Sequence, residues 1–260
     1  MTAVRGVYVI WLREILRFVR EPARIVGMLA QPLLYLLLVG NGISHGFQLD
    51  ASRHVNYLAY MFPGIVGMSV LFTSIFGAVS IVWDREFGFL KEVLVSPVPR
   101  WAIAVGKAVG SSSVAVVQGA VLLLLAPAVG LHPGVGAFLG LLGVLLLVSL
   151  AITGLGILIA SRMDSMQGFQ TVLNFLVMPL FFLSGALYPL KGMPDWLGVL
   201  MRVDPLTYGV DALRHIMYGS TLLGRVMTQF GLGVDILVTV SVTAVMLVLA
   251  SWMFNRVQAA

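Results

Sequence analysis

Six charged residues, Asp84, Arg85, Glu86, Lys91, Glu92 and Arg100, crowd into the stretch WDREFGFLKEVLVSPVPR, between two long apolar runs. Acids and bases gathered this tightly suit one of two chemistries: proton transfer in a catalytic site, or charge-assisted docking on another protein. The spacing favours docking. Read as a helix from Asp84 to Val95, the segment places Phe87, Leu90 and Leu94 on one face and its ions elsewhere. No opposite charges fall three or four residues apart, so the ions have no partner within the segment and are expected to face another protein. Ser96-Pro97 then ends the helix, because the residue before a proline is pushed out of the helical region, and Pro99 repeats the block. No charge occurs from Tyr57 to Trp83, and beyond Arg100 only Lys107 interrupts the next apolar run. The charged segment therefore reads as an aqueous loop between two membrane spans.

Other chemistries lack their residues. There is no HExxH, and His45, His54, His132 and His215 have no metal-ligand spacing, so no metal site is expected. Ser184-Gly185 could open an intramembrane protease site, but no span offers a partner histidine, and packing by small residues explains the pair better. Gly106-Lys107-Ala108 lacks both the upstream glycine and the hydroxyl of a phosphate loop. Neither cofactor binding nor ATP hydrolysis by that route is expected of this chain. Carboxylate rings or acidic residues within spans, which would mark a channel or an ion-coupled transporter, are also missing. What remains is a membrane body driven by another subunit.

The elements that hold this loop follow from hydropathy. The chain has 59% hydrophobic and 10% charged residues and a mean hydropathy of +1.00, which fits an all-α polytopic membrane protein and no soluble domain. Cysteine is absent. The net charge of +5 is scattered along apolar sequence and records topology; no nucleic-acid patch stands out. Six spans are expected: Ile25 to Ile43, Tyr57 to Trp83, two within Ala108 to Ser161 turned at Pro127, Gly130 and His132-Pro133-Gly134, Thr171 to Tyr188, and Ile236 to Phe254. Arg13, Arg17, Arg20 and Arg24 recur at helical spacing opposite Val7, Trp11, Ile15 and Phe18, so residues 1–22 read as an interfacial helix on anionic lipid, bent into the bilayer at Pro22. With six spans, basic residues at the N-terminal arm, after span two, and at Arg162 and Arg256 put both termini in the cytoplasm. Lys107 is expected to snorkel to that side. Between spans five and six, residues 189–219 can form two amphipathic helices. Pro194 opens one that carries Trp196; the other follows Asp204-Pro205, with Leu206, Val210, Leu213 and Met217 on one face and Asp211 paired to Arg214 on the polar side. They read either as a re-entrant hairpin or as a plain external cap.

Gln31-Pro32 in the first span, DREFGFLKEVLVSPVPR, and FFLSGALYPLKGMPDWLGVLMRVDPLTYGVDALR together resemble the permease of a type-2 ABC exporter, the class of daunorubicin-resistance, nodulation-factor and polysaccharide export permeases. The resemblance covers nearly the whole chain. It implies that the basic N-terminal helix, with Arg13, Arg17 and Arg20, is a connecting helix along the membrane. It makes residues 84–100 the coupling helix that docks on an ABC ATPase through Asp84, Arg85, Glu86, Gly88, Lys91 and Glu92, with the Ser96-Pro97 stop and Arg100. It also implies two small re-entrant helices before the last span, two permease copies (identical or close paralogues) and two ATPase subunits holding magnesium ATP, in a bacterial inner membrane. The substrate path would lie between the copies, with Tyr35, Phe72, Phe76, Asn174, Phe181 and Phe182 as candidates, for an amphipathic drug, lipid or lipid-linked glycan. Two rivals are an intramembrane enzyme acting on lipid or peptide, with the charged loop as its active site, and a non-transporting assembly protein.

Overall fold

A computed structural model describes residues 3–40, 57–87, 98–189, 193–219, 224 and 227–256, and among these all regular structure is helical. The order is α1 (Ala3–Arg20), α2 (Pro22–Leu34, continued by a π-helical segment Tyr35–Gly40), α3 (Tyr57–Glu86), α4 (Arg100–Leu123), α5 (Val135–Ala160), α6 (Met166–Leu183), α7 (Asp195–Val203), α8 (Pro205–Tyr218) and α9 (Leu232–Asn255). Five of these, α3, α4, α5, α6 and α9, are long and apolar enough to cross a membrane. Among the described residues the apolar helix of the expected first span is Ile25–Leu38, about 21 Å long at 1.5 Å per residue. Residues 41–43, the end of that expected span, lie outside the described residues.

The centre of the bundle is α3. Its sequence is apolar on every side, and a helix without a polar face is stable only when wrapped. Its ladder breaks for one residue at Ala78, and α2, α4, α5 and α8 pack around it. Small residues set the distances. A Cβ on Gly156 would lie 2.8 Å from Ala78 Cβ, and one on Gly64 would lie 2.7 Å from Ala186 Cα, so α5 and the segment after α6 close on α3 backbone to backbone. The last helix, α9, packs on α5, with Thr243 Oγ1 3.0 Å from Leu147 O and Met246 against Gly154.

The periodicity of α1 is as expected, but its setting is different. Its closest partner is α4: Gly106 lies under Val7 and Ile10, Gly110 lies under Trp11 and Glu14, and the Trp11 indole donates to Ser113 Oγ at 3.0 Å. The face expected to enter lipid is thus docked on protein, while Val4, Tyr8, Val9, Leu16 and Val19 are the exposed apolar side chains. Pro22 does open a new helix, at its first turn, where its missing N–H costs nothing.

Between α6 and α9 the two expected helices form, α7 and α8, joined at Asp204. Leu206, Val210 and Leu213 are buried as the pattern requires, with α8 lodged against α3, α5 and α9. Among the described residues α8 is thus held on three sides within the bundle.

Candidate functional site

The charged segment begins inside the protein. Asp84, in the last turn of α3, is 8% exposed and Lys107, on α4, is 3% exposed. Lys107 Nζ lies 2.7 Å from Asp84 Oδ2 and 2.9 Å from Ser80 Oγ, with Glu14 Oε1 at 4.0 Å. Arg13 Nη2 meets both Asp84 oxygens at 3.0 and 3.1 Å. Two cations and two carboxylates thus form a balanced cluster where α1, α3 and α4 meet. The next residue binds elsewhere: Arg85 donates to Met163 O at 2.7 Å, Ser161 O at 3.1 Å and Asp164 Oδ1 at 3.0 Å, which ties α3 to the turn between α5 and α6. Arg17 stands 5.0 Å over the Trp83 ring.

Several expectations change here. Asp84 and Arg85 do not offer free charges to a partner, because α1 and the α5–α6 turn supply counter-ions and carbonyls that the segment itself lacks. Lys107 does not snorkel: α1 approaches so closely over Gly106 and Gly110 that its ammonium has an acid at hand and no route outward. Arg13 and Arg17 face protein, while Arg20 is exposed. Glu86 is exposed and Phe87 is 81% exposed, so the exposed part of the segment begins two residues later than expected. Gly88, Lys91, Glu92, Ser96 and Pro97, and with them the rest of the expected helix to Val95, lie outside the described residues. Arg100 opens α4 and donates to Asn255 O at 3.2 Å. Glu14 and Asp164 carry no signal of their own in the sequence, and Lys107 reads there as a snorkelling residue; a lone lysine deep in an apolar run was the available signal, since such a charge needs a partner.

Beside this cluster two cavities lie against α3, one toward α2 and α4 and one toward α1 and α6. One, of about 250 Å³, is lined by Gln31, Pro32, Phe72, Thr73, Phe76 and Gln118 among others. The second, of about 310 Å³, shares Met28 and Phe76 and reaches Arg17, Trp83 and Gln170. Phe72 and Phe76 stack at 6.4 Å, and Gln118 is held by Thr73 and by Met28 O. The remaining path candidates are elsewhere. Phe181 is buried between Tyr35 and Phe182, a packing role, and Asn174 is exposed on α6.

At the opposite end of α3, the expected Asp211–Arg214 pair does not form. Both are buried, and each serves a distant backbone: Asp211 accepts from Gln229 N and Phe230 N at 2.8 to 3.1 Å, while Arg214 donates to Gly185 O at 2.7 Å and Ala186 O at 3.3 Å and lies 4.2 Å over Tyr60. His215 Nδ1 comes within 3.1 Å of Asp235 Oδ2. Pro194 caps α7 and Pro205 opens α8, with Trp196 exposed. Asp204 caps α8, its Oδ1 accepting from Leu206 N at 3.0 Å, while Oδ2 is buried without a partner. Burial pushes this carboxyl up to about 7 against the cap's opposing pull. A folded value above the unfolded one favours the fold fully below pH about 3.8, and that contribution is lost as pH rises through about 7. Asn caps as well as Asp. Asp204→Asn should therefore flatten the decline of melting temperature between pH 4 and 7 and be the more stable form above pH 7, read by thermal unfolding in detergent.

Comparison with known proteins places these features. A family model described as "ABC-2 type transporter" matches residues 5–218, from α1 through α8. The "Putative transport permease ycf38" of Cyanophora paradoxa is 29% identical over 222 residues, covering 85% of this chain and 77% of its own. "Nodulation protein J" of Rhizobium meliloti (strain 1021) is 28% identical over 217 residues, covering 82% of each. The "Probable multidrug ABC transporter permease YbhR" of Escherichia coli (strain K12) is 28% identical over 164 residues, 63% of this chain and 45% of that one.

Proposed function

Because the chain belongs to the ABC-2 type transporter family and is a transmembrane permease subunit, we propose that two copies form an export pathway worked by separate ABC ATPase subunits. Both termini and the 84–100 segment lie in the cytoplasm of a bacterial inner membrane. Magnesium ATP is hydrolysed on the partner. One observation carries this reading: the charged segment leaves α3 at a point where Asp84 and Arg85 bind α1, α4 and the α5–α6 turn together. A displacement applied just beyond them moves four elements as a unit, because a linked buried ionic cluster has discrete arrangements and deforms little. The contact offered to the ATPase is then Glu86 and Phe87, with Lys91 and Glu92 following. The internal ions transmit the force.

The path runs along α2 and α3 past Phe72, Phe76 and Gln118, where apolar walls with a few amides suit an amphipathic drug, lipid or lipid-linked glycan. The relative named for multidrug transport supports the drug reading.

The test pairs the chain with its ATPase in proteoliposomes. Charged contacts are each worth about 1.5–3 kcal/mol. Glu86→Lys combined with Phe87→Ala is therefore expected to weaken ATPase binding at least about tenfold and to lower stimulated ATP hydrolysis and export together, with insertion unchanged. Full export and full stimulation in that variant would overturn the docking assignment.

A further inference from the structure

Asp211 and His215 sit one turn apart on α8, on the same face, and Asp235 reaches them from the first turn of α9. One ligand atom from each lies within 4.8 Å of the other two. Among the described residues, no counter-charge other than a protonated His215 accompanies the two carboxylates. Asp235 is 0% exposed, and neither of its oxygens has a hydrogen-bond donor. His215 Nδ1, 3.1 Å away, also lacks a hydrogen bond. Among the described residues no lysine or arginine pairs with either carboxylate; Arg214, the nearest in sequence, is turned to Gly185 and Ala186. A buried carboxylate beside a second one, without a donor, costs several kcal/mol unless a cation shares the space.

We propose that Asp211, His215 and Asp235 bind one divalent transition-metal ion of the zinc class, joining α8 to α9. The donor set of one imidazole nitrogen and two carboxylate oxygens suits zinc better than magnesium or calcium, which favour oxygen alone. Zinc bonds of about 2.0–2.1 Å at tetrahedral angles hold ligand atoms about 3.3 Å apart, close to the observed Nδ1–Oδ2 separation. Spacing of four residues on a helix puts two ligands on one side of an ion. The first ligand is held in place by backbone donors, Gln229 N to both Asp211 oxygens and Phe230 N to Oδ2, as the outer partners of metal carboxylates hold theirs. The inference does not depend on the transport reading.

The experiment uses the full chain in detergent, purified on a tag without histidines, stripped with chelator and dialysed at pH 7.5. Zinc content and thermal unfolding are measured with zinc chloride or magnesium chloride added. The expected result is one zinc per chain and a melting temperature that climbs with zinc, by about 5–10 °C at a hundredfold excess over Kd, without response to magnesium. His215→Gln should weaken zinc binding by more than about 100-fold. Asp235→Asn should lose the zinc response while melting above the stripped parent, because it removes a buried unpaired charge without changing shape; it also keeps the test valid if the histidine variant folds poorly. Coincident unfolding curves for stripped and zinc-treated protein, or a zinc response that survives in Asp235→Asn, would overturn the assignment and leave a shared proton between His215 and Asp235 as the occupant.

Discussion

Asp84→Ala is expected to destabilise the folded permease by about 3–5 kcal/mol, the cost of leaving a buried charge without its partner. Lys107 is almost wholly enclosed and has only Glu14, at 4.0 Å, to replace the lost carboxylate at 2.7 Å. Arg13 can turn to water, being partly exposed, so most of the cost falls on Lys107. Lys107→Met should cost less, because Arg13 still meets both Asp84 oxygens at 3.0 and 3.1 Å. Asp84→Leu strands Lys107 in the same way as Asp84→Ala, and joined to Lys107→Met it removes both charges and fills the space; apolar replacement of a buried pair is often neutral. The double variant is therefore expected to recover at least about 2 kcal/mol of the summed single costs in a double-mutant cycle, measured by unfolding in mixed micelles. Export is expected to stay low, because α1 and α3 are no longer tied through Asp84. Additive costs would mean that the two residues act separately, and restored export would mean that the ionic tie plays no part in transmission.

Periodicity reports the forces that act within one helix. Apolar pattern marked α3, α4, α5, α6 and α9 as helices of spanning length, and the spacing of Leu206, Val210 and Leu213 found the buried face of α8. Those features depend on one helix and its hydropathy. Pattern did not say what would cover a face. The α1 stripe was visible, yet whether Trp11 met lipid or Ser113 depended on Gly106 and Gly110, about a hundred residues away, which let α4 come close. The polar residues were misassigned for the same reason. Asp211 and Arg214 are three apart and looked like a pair, but buried carbonyls at Gly185 and Ala186 and buried amides at Gln229 and Phe230 claimed them, since unsatisfied backbone costs more than an exposed ion pair returns. His215 and Asp235 share no sequence motif; a carboxylate in the first turn of an otherwise uncharged span was the only hint.

Arg214→Ala should cost about 3–5 kcal/mol and lower the melting temperature by roughly 6–20 °C at about 2–4 °C per kcal/mol. The side chain is 1% exposed and is one of the largest wholly buried groups. It closes the end of α6, where Gly185 takes a left-handed conformation (φ 69°) and two successive carbonyls point inward. Without the guanidinium, Ala186 O loses its donor, while Gly185 O keeps only the Tyr60 hydroxyl at 3.1 Å. The Tyr60 ring loses the cation above it, worth about 0.5–2 kcal/mol, and the vacated volume adds a cavity cost. The carbonyls cannot turn away easily, because Gly64 packs directly on Ala186. Arg214→Lys is not a conservative change here: an ammonium is a point donor on a thinner stem and cannot lie flat on Tyr60 while reaching both oxygens. Its expected cost is about 2 kcal/mol. Tyr60→Phe loses only a hydroxyl whose acceptor keeps Arg214, so about 1 kcal/mol is expected. The order Arg214→Ala, Arg214→Lys, Tyr60→Phe, from greatest to least loss in thermal unfolding, is what the geometry requires. A lysine variant as stable as the parent would show that charge alone holds this corner, and that the planar, two-carbonyl contact contributes nothing.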